Sequence, residues 1–143
     1  ASTDLERIGD EASRIAKMAI RLDGTDYYHD QYHELNHLVD EVKGMLRGSL
    51  DTFARMDIEK VLEITSNDEK VDREYGSIIR QMITKMMEDP RNITRTIDIL
   101  WTARALERIA DHACNLCEHV VYIVQGDDVR HLSLDELQNK ISK

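Results

Sequence analysis

The chain has 143 residues, of which 41% are hydrophobic and 33% are charged, and its formal net charge is −9. This is the length of one ordinary domain with a modest core, and the acidic balance argues against a nucleic-acid partner, because phosphate backbones need clustered Lys and Arg. One Pro and six Gly leave few turn signals, so the composition indicates long helices.

The N-terminal part of the chain predicts two helices. The first runs from about Thr3 to Leu22 and ends at Asp23-Gly24, which is a helix-stop signal. The second runs from about His29 to Ala54. The apolar face of the first helix is expected to consist of Leu5, Ile8, Ala12, Ile15 and Ala19. That of the second is expected to consist of Leu35, Val39, Val42, Leu46 and Phe53.

The rest of the chain predicts a helical hairpin around its only proline. A third helix is expected from about Ile58 to Glu88, with Asp57 as its N-cap. Asp89 followed by Pro90 is a helix-start signal, so a fourth helix is expected from about Pro90 to Gln125, with Gly126 as its stop. Short links between long helices favour antiparallel neighbours, which indicates an all-α, up-and-down antiparallel helical bundle.

A weak internal repeat suggests a duplicated unit. A shift of 101 positions aligns residues 5–12 with residues 106–113, which match at six of eight places. On this interpretation residues 29–126 form a complete three-helix repeat, and residues 1–24 are the last helix of an incomplete preceding repeat. Residues 127–143 are then a C-terminal tail.

Two pairs of carboxylates are expected to meet across the hairpin. Asp68 and Asp72 lie on a stripe of the third helix spaced by threes and fours, and Glu107 and Asp111 lie on a similar stripe of the fourth. Asp72 precedes Pro90 by 18 residues and Glu107 follows it by 17, so at about 1.5 Å per residue they lie at matching heights. A second apolar stripe beside Glu107 and Asp111 comprises Leu106, Ile109, Ala113, Leu116 and Val120.

Four converging carboxylates need a positive partner, because burying unpaired anions costs several kcal/mol or more. Arg104 and Arg108 can supply it through ion pairs, and one or more metal ions can supply it instead. Ligands that are all oxygen atoms suit hard cations such as Mg²⁺, Mn²⁺, Ca²⁺ or ferric iron. The spacing alone leaves both alternatives open.

Five short motifs resemble the successive landmarks of the PhoU family. They are Glu6-Arg7-Ile8-Gly9-Asp10, Phe53-Ala54-Arg55-Met56-Asp57, Asp68-Glu69-Lys70-Val71-Asp72, Glu107-Arg108-Ile109-Ala110-Asp111 and the stretch from Gln125 to His131. The likeness runs from about residue 3 to residue 132. It implies a bundle built from PhoU-type three-helix repeats.

The resemblance also implies a function. The protein is expected to be a regulator and not an enzyme, which keeps the phosphate-starvation response off when phosphate is plentiful. The implied partners are a phosphate ABC transporter and a sensor histidine kinase, and membrane association is expected only through them. A homodimer is also expected.

The E/D-x-x-x-D motifs of the family imply metal sites, often multinuclear ones, holding iron or zinc, with manganese or magnesium as further possibilities. The motifs place these ligands at Asp68, Asp72, Glu107 and Asp111. Glu6 and Asp10 match the motif of the first repeat. Their partner helix is expected to lie outside the chain, which would leave that metal site incomplete.

Two other functions are weighed against regulation. His33-Glu34-Leu35-Asn36-His37 matches H-E-x-x-H, which in a zinc-dependent hydrolase supplies two ligands and a base. However, no third ligand is evident downstream, and both histidines are expected to face solvent. The other alternative is a metal-free helical scaffold whose carboxylates are ion-paired.

The remaining sequence features favour a cytoplasmic protein. No stretch approaches the ~18 consecutive apolar residues of a membrane span, and no signal-peptide pattern is present. Cys114 and Cys117 do not form the disulfide framework of a small secreted protein. Because this C-x-x-C lies within a predicted helix, both cysteines are expected to be core residues and not redox or zinc ligands.

Overall fold

The computed structural model describes residues 2–22 and 29–129, and these ranges are almost entirely helical. The elements are α1 (Ser2–Leu22), α2 (His29–Arg55), α3 (Val61–Glu88), a 3₁₀ turn (Pro90–Asn92) and α4 (Ile93–Val129). The described ranges contain no strand, so the all-α prediction is confirmed. None of the described helices combines the length and apolarity that a bilayer crossing requires.

Helix α4 is in contact with each of the other three helices. Helices α2, α3 and α4 pack against one another as consecutive antiparallel hairpins. Helix α1 packs chiefly on α4, also antiparallel: Asp4 lies beside His112 near one end, and Met18 beside Thr102 near the other. Consecutive helices are therefore packed neighbours, as expected, for α2, α3 and α4. Helix α1 instead packs chiefly on α4 and not on the helix that follows it.

The core runs along α4, and it identifies which of the two stripes of that helix is internal. The stripe of Leu106, Ile109, Ala113, Leu116 and Val120 is buried throughout. On the other stripe, Arg104 and Asp111 are exposed. Side chains of α2 and α3 complete the core, and the most deeply buried of them are Leu38, Met45, Val71 and Met82.

Several predicted helix ends are wrong by a few residues. Helix α3 begins at Val61, so Asp57 is not its N-cap; the Asp57 carboxylate instead accepts a hydrogen bond from the Glu59 amide at 3.0 Å. The preceding Met56 has φ of 52°, a left-handed conformation that ends α2 and starts a turn. Gly126 does not stop α4, because one helical Gly costs only about 1 kcal/mol relative to Ala.

The turn that leads into α4 agrees with the predicted helix-start signal at Asp89 and Pro90. The Asp89 side chain accepts a hydrogen bond from the Arg91 amide at 3.2 Å, and Pro90 occupies the first position of the 3₁₀ turn that leads into α4. Proline loses nothing there, because an amide at that position would have no helical partner.

The apolar face of α1 differs from the prediction. Ile8 is buried and Ile15 partly so, whereas Leu5 and Ala12 are exposed. Glu11 is buried in their place, and its carboxylate lies 3.4 Å from the Arg108 guanidinium. Because α1 contacts little besides α4, only one narrow strip of its surface is covered.

Some predicted features lie outside the described residues. These are the stop at Asp23-Gly24, the side chain of Ala19 and the tail from residue 130 onward. Residues 127–129 belong to the last turn of α4 and not to a tail. The division of residues 1–126 into an incomplete and a complete repeat stays a prediction.

Replacing Leu116 tests the central position of α4. Leu116 is fully buried, so Leu116→Ala is expected to lower the free energy of unfolding by about 2 to 5 kcal/mol. Leu62 is 82% exposed, so the matched change Leu62→Ala is expected to alter it by no more than about 0.5 kcal/mol. Urea unfolding followed by circular dichroism measures both. Equal losses in the two variants would contradict the packing described above.

Candidate metal centre

The four carboxylates predicted to meet across the α3–α4 hairpin are close together in the structure. Asp68, Asp72 and Asp111 each offer one oxygen, and these three oxygens lie within 4.8 Å of one another. Glu107 lies near enough to Asp111, Asp72 and Asp68 for their charges to raise its pKa. Asp68 and Glu107 are half-buried, whereas Asp72 and Asp111 are exposed. We call these four residues the carboxylate cluster.

The packing of α3 explains where the cluster lies. The buried residues Ile64, Val71 and Ile78 repeat every seven positions and form the side of α3 that faces the core. Asp68 and Asp72 flank this line on the side of α4, at the edge of the groove between the two helices. They therefore border the core stripe and are not part of it as the sequence predicted.

Proximity and burial raise the pKa values of the cluster. Burial, followed by the charges of Asp72 and Asp111, raises the pKa of Asp68 to about 6. Burial, the hydrogen bond to Asp111 and the neighbouring charges raise the pKa of Glu107 to about 7. The pKa of Asp72 is also raised, by burial first and then by Asp111 and Glu69. Each shift means that the anionic form is destabilised at this position.

The arginines predicted to neutralise the cluster lie elsewhere. Arg108 pairs with Glu11 of α1, and Arg104 is exposed. Among the residues whose side chains the structure describes, no Lys or Arg forms an ion pair with a cluster carboxylate. The interpretation of the cluster as an arginine salt-bridge network is therefore wrong for the described part of the chain.

The donor atoms of the cluster fit a hard metal ion. All four side chains offer carboxylate oxygens, the ligands that Mg²⁺, Mn²⁺ and ferric iron prefer. The Asp68 Oδ1 atom is buried and has no hydrogen-bond partner among the described residues. A cation would satisfy this oxygen and remove the repulsion that raises the pKa values. The metal-free and metal-bound forms of the cluster would therefore differ in stability.

Cys114 borders the cluster as a buried thiol. It is buried, as is Cys117, and both are free. Burial and the nearby Asp68 raise the pKa of Cys114 to about 12, so its sulfur is a neutral thiol at neutral pH. The prediction that both cysteines are buried in the core is confirmed.

Glu6 and Asp10 are placed apart from this cluster. Both are exposed on α1, and neither belongs to a group of potential metal ligands among the described residues. Their role as metal ligands stays a prediction.

The H-E-x-x-H motif does not form the arrangement of a zinc hydrolase. His33 and His37 are exposed, as predicted. The Glu34 carboxylate accepts a hydrogen bond from the Gln81 side chain at 2.9 Å. His37 lies instead beside Glu41 and Glu74, a group that the sequence analysis missed. Its only sequence signal was the i, i+4 spacing of His37 and Glu41, because Glu74 belongs to the next helix.

Known structures have the same architecture. The crystal structure of PhoU from Pseudomonas aeruginosa matches with a TM-score of 0.80 and 47% identity, covering 87% of this chain and 59% of that chain. The phosphate transport system regulatory protein PhoU from Streptococcus pneumoniae matches with a TM-score of 0.74 and 31% identity, covering 87% and 58%.

Curated relatives match along nearly the whole chain. A phosphate-specific transport system accessory protein PhoU homolog from Pseudomonas putida is 46% identical over 138 residues, which are 96% of this chain and 54% of the relative. The Escherichia coli accessory protein PhoU is 41% identical over 144 residues, which are 97% of this chain and 57% of the relative. The chain thus spans about half the length of the curated relatives it matches.

Fold and site together define a helical-bundle protein with a carboxylate cluster in one interhelical groove. The PhoU domain family model matches residues 35–120, which include α3 and most of α2 and α4. The chain belongs to the PhoU domain family. The resemblance noted in the sequence is therefore confirmed.

The raised pKa values predict a pH effect in metal-free protein. A carboxyl group whose pKa is higher in the folded state binds more protons folded than unfolded, so stability falls as pH rises from about 4 through about 7. Glu107→Gln removes one of the two carboxyl groups whose pKa is raised most. The Tm of the Glu107→Gln variant, relative to the Tm of the parent protein at the same pH, is therefore expected to increase as pH rises from about 5 to about 8.

Calorimetry in the presence of a chelator measures this difference. Asp10→Asn, which changes an exposed acid on α1, serves as the control and is expected to follow the parent at every pH. A Glu107→Gln profile parallel to that of the parent would contradict the electrostatic description of the cluster.

Proposed function

We propose that this chain acts in the regulation of phosphate uptake. The observation that carries this proposal is the likeness over nearly the whole chain to proteins named as accessory proteins of the phosphate-specific transport system. The structural relative from Streptococcus pneumoniae is named as a regulatory protein of phosphate transport. A helical bundle suits such a role, because its long outer faces offer surface to partner proteins.

In this proposal the chain couples a phosphate ABC transporter to a sensor histidine kinase and keeps the starvation response off when phosphate is plentiful. It works in the cytoplasm, reaches the membrane only through these partners and forms a homodimer. The acidic surface, with a net charge of −9, favours basic partner surfaces over nucleic acid.

We also propose that the carboxylate cluster holds one or more metal ions, of iron, zinc, manganese or magnesium. Asp68 and Asp72 would bind from α3, and Glu107 and Asp111 from α4. The metal would supply positive charge. Carboxylates of α3 and α4 that repel one another would then be joined through the shared ion. Support comes from the oxygen donors, the unpartnered Asp68 Oδ1 and the absence of a cationic side chain from the cluster among the described residues.

Elemental analysis of purified protein tests the metal proposal. The double variant Asp68→Asn, Asp111→Asn is expected to lower the ratio of metal to protein, because it removes two anionic ligands from two helices. Glu6→Gln, Asp10→Asn is the matched control, since it removes an i, i+4 acidic pair that the structure leaves exposed on α1. The proposal fails if the cluster variant retains the metal content of the parent.

A genetic experiment tests the regulatory proposal. Deleting the gene in its source organism is expected to switch on a phosphate-starvation reporter in medium rich in phosphate, and restoring the gene is expected to switch it off. A reporter that stays off after deletion would overturn the proposal. Restoration with Leu62→Ala, a change of an exposed side chain outside the cluster, is the control and is expected to behave as the parent.

A further inference from the structure

A second group of potential metal ligands lies in the groove between α2 and α3. His37 and Glu41 are one turn apart on α2, and Glu74 faces them from α3. One ligand atom from each lies within 4.8 Å of the other two. The His37 Nδ1 atom is 3.2 Å from Glu74 Oε2, and its Nε2 atom is 3.8 Å from Glu41 Oε1, the oxygen that also pairs with Lys70.

One ion binds only one nitrogen of an imidazole, and the separation of His37 Nδ1 from Glu74 Oε2 is close to what a shared ion requires. Nitrogen and oxygen ligands about 2.0 to 2.2 Å from Zn²⁺ lie about 3.0 to 3.5 Å from one another. Small rotamer changes would suffice, because His37 is exposed and free to turn its ring. The cleft at this position extends past His33, which lies one turn before His37. Solvent can therefore reach the group.

Glu41 supplies a second, independent indication of a ligand. Its side chain is only 14% exposed, and its Oε1 atom pairs with the Lys70 ammonium at 2.6 Å. The other oxygen, Oε2, is buried and has no hydrogen-bond partner among the described residues. A buried carboxylate oxygen without a donor is costly, and a cation would satisfy it.

We propose that His37, Glu41 and Glu74 form a second metal site, specific for a divalent transition-metal ion such as Zn²⁺. The imidazole nitrogen distinguishes this site from the all-oxygen carboxylate cluster, since nitrogen ligands favour Zn²⁺ and its neighbours over Mg²⁺ or Ca²⁺. Two anionic carboxylates and a neutral imidazole balance the charge of the ion. Lys70 pairs with Glu41 Oε1, which leaves Oε2 as the oxygen without a partner.

The second site is independent of the proposal for the carboxylate cluster. Asp72 and Glu74 are two residues apart on α3, so their side chains leave the helix about 200° apart. One therefore faces the groove with α4, and the other faces the groove with α2. Removing ligands from one group leaves the other intact.

Zinc titration of the full chain tests the proposal. The experiment uses the Asp68→Asn, Asp111→Asn background, so that the carboxylate cluster does not contribute, and isothermal calorimetry measures Zn²⁺ alone against the protein. One Zn²⁺ per chain is expected to bind. Adding His37→Ala or Glu74→Gln is expected to weaken binding at least about tenfold.

His119→Ala is the matched control, because His119 is exposed on α4 and belongs to neither group. It is expected to bind Zn²⁺ as the background does. Proton–nitrogen NMR of the histidines provides a second readout, in which Zn²⁺ is expected to shift the His37 ring nitrogens before those of His119. The proposal is overturned if the background binds no Zn²⁺, or if His37→Ala and Glu74→Gln both bind it unchanged.

Discussion

The arrangement of the molecule follows from the requirement that α4 pack against three helices at once. A helix covered on three sides keeps only one strip for charged groups, and on α4 that strip includes Arg104, Asp111 and the edge position Glu107. Small buried residues allow its neighbours to approach closely. They are Ala103, Ala105, Ala110 and Ala113. Glu107 and Asp111 are therefore confined to the border of the groove with α3.

The carboxylate cluster is held together by the packing around it and not by attraction between its members. Burial of a large apolar side chain such as Val71 stabilises the fold by about 1.5 to 3 kcal/mol, and several such residues fix the spacing of α3 and α4. The anions of Asp68 and Glu107 oppose that spacing. A bound cation would make the electrostatic contribution of these carboxylates stabilising without moving the helices. Metal occupancy can therefore alter the free energy of unfolding more than it alters the shape of the bundle.

The sequence predicted the helices and the cluster because both depend on regular geometry. Periodicity identified the four helices, and counting residues on each side of Pro90 placed Asp72 opposite Glu107. It did not predict the burial of Glu11 or the exposure of Leu5, because these depend on which neighbour covers α1. The sequence also did not predict the pairing of Glu74 with His37, because this pairing depends on the register between α2 and α3.

Helix α3 is the element that links the two groups of potential ligands. Among the described helices it alone contributes to both, through Asp68 and Asp72 on one side and Glu74 on the other. A helix transmits displacement along its length because its backbone hydrogen bonds keep it stiff. Val71 and Ile78 of α3 belong to the buried core, which fixes the position of the helix between the two grooves. Substituting ligands in one group therefore leaves the geometry of the other group in place.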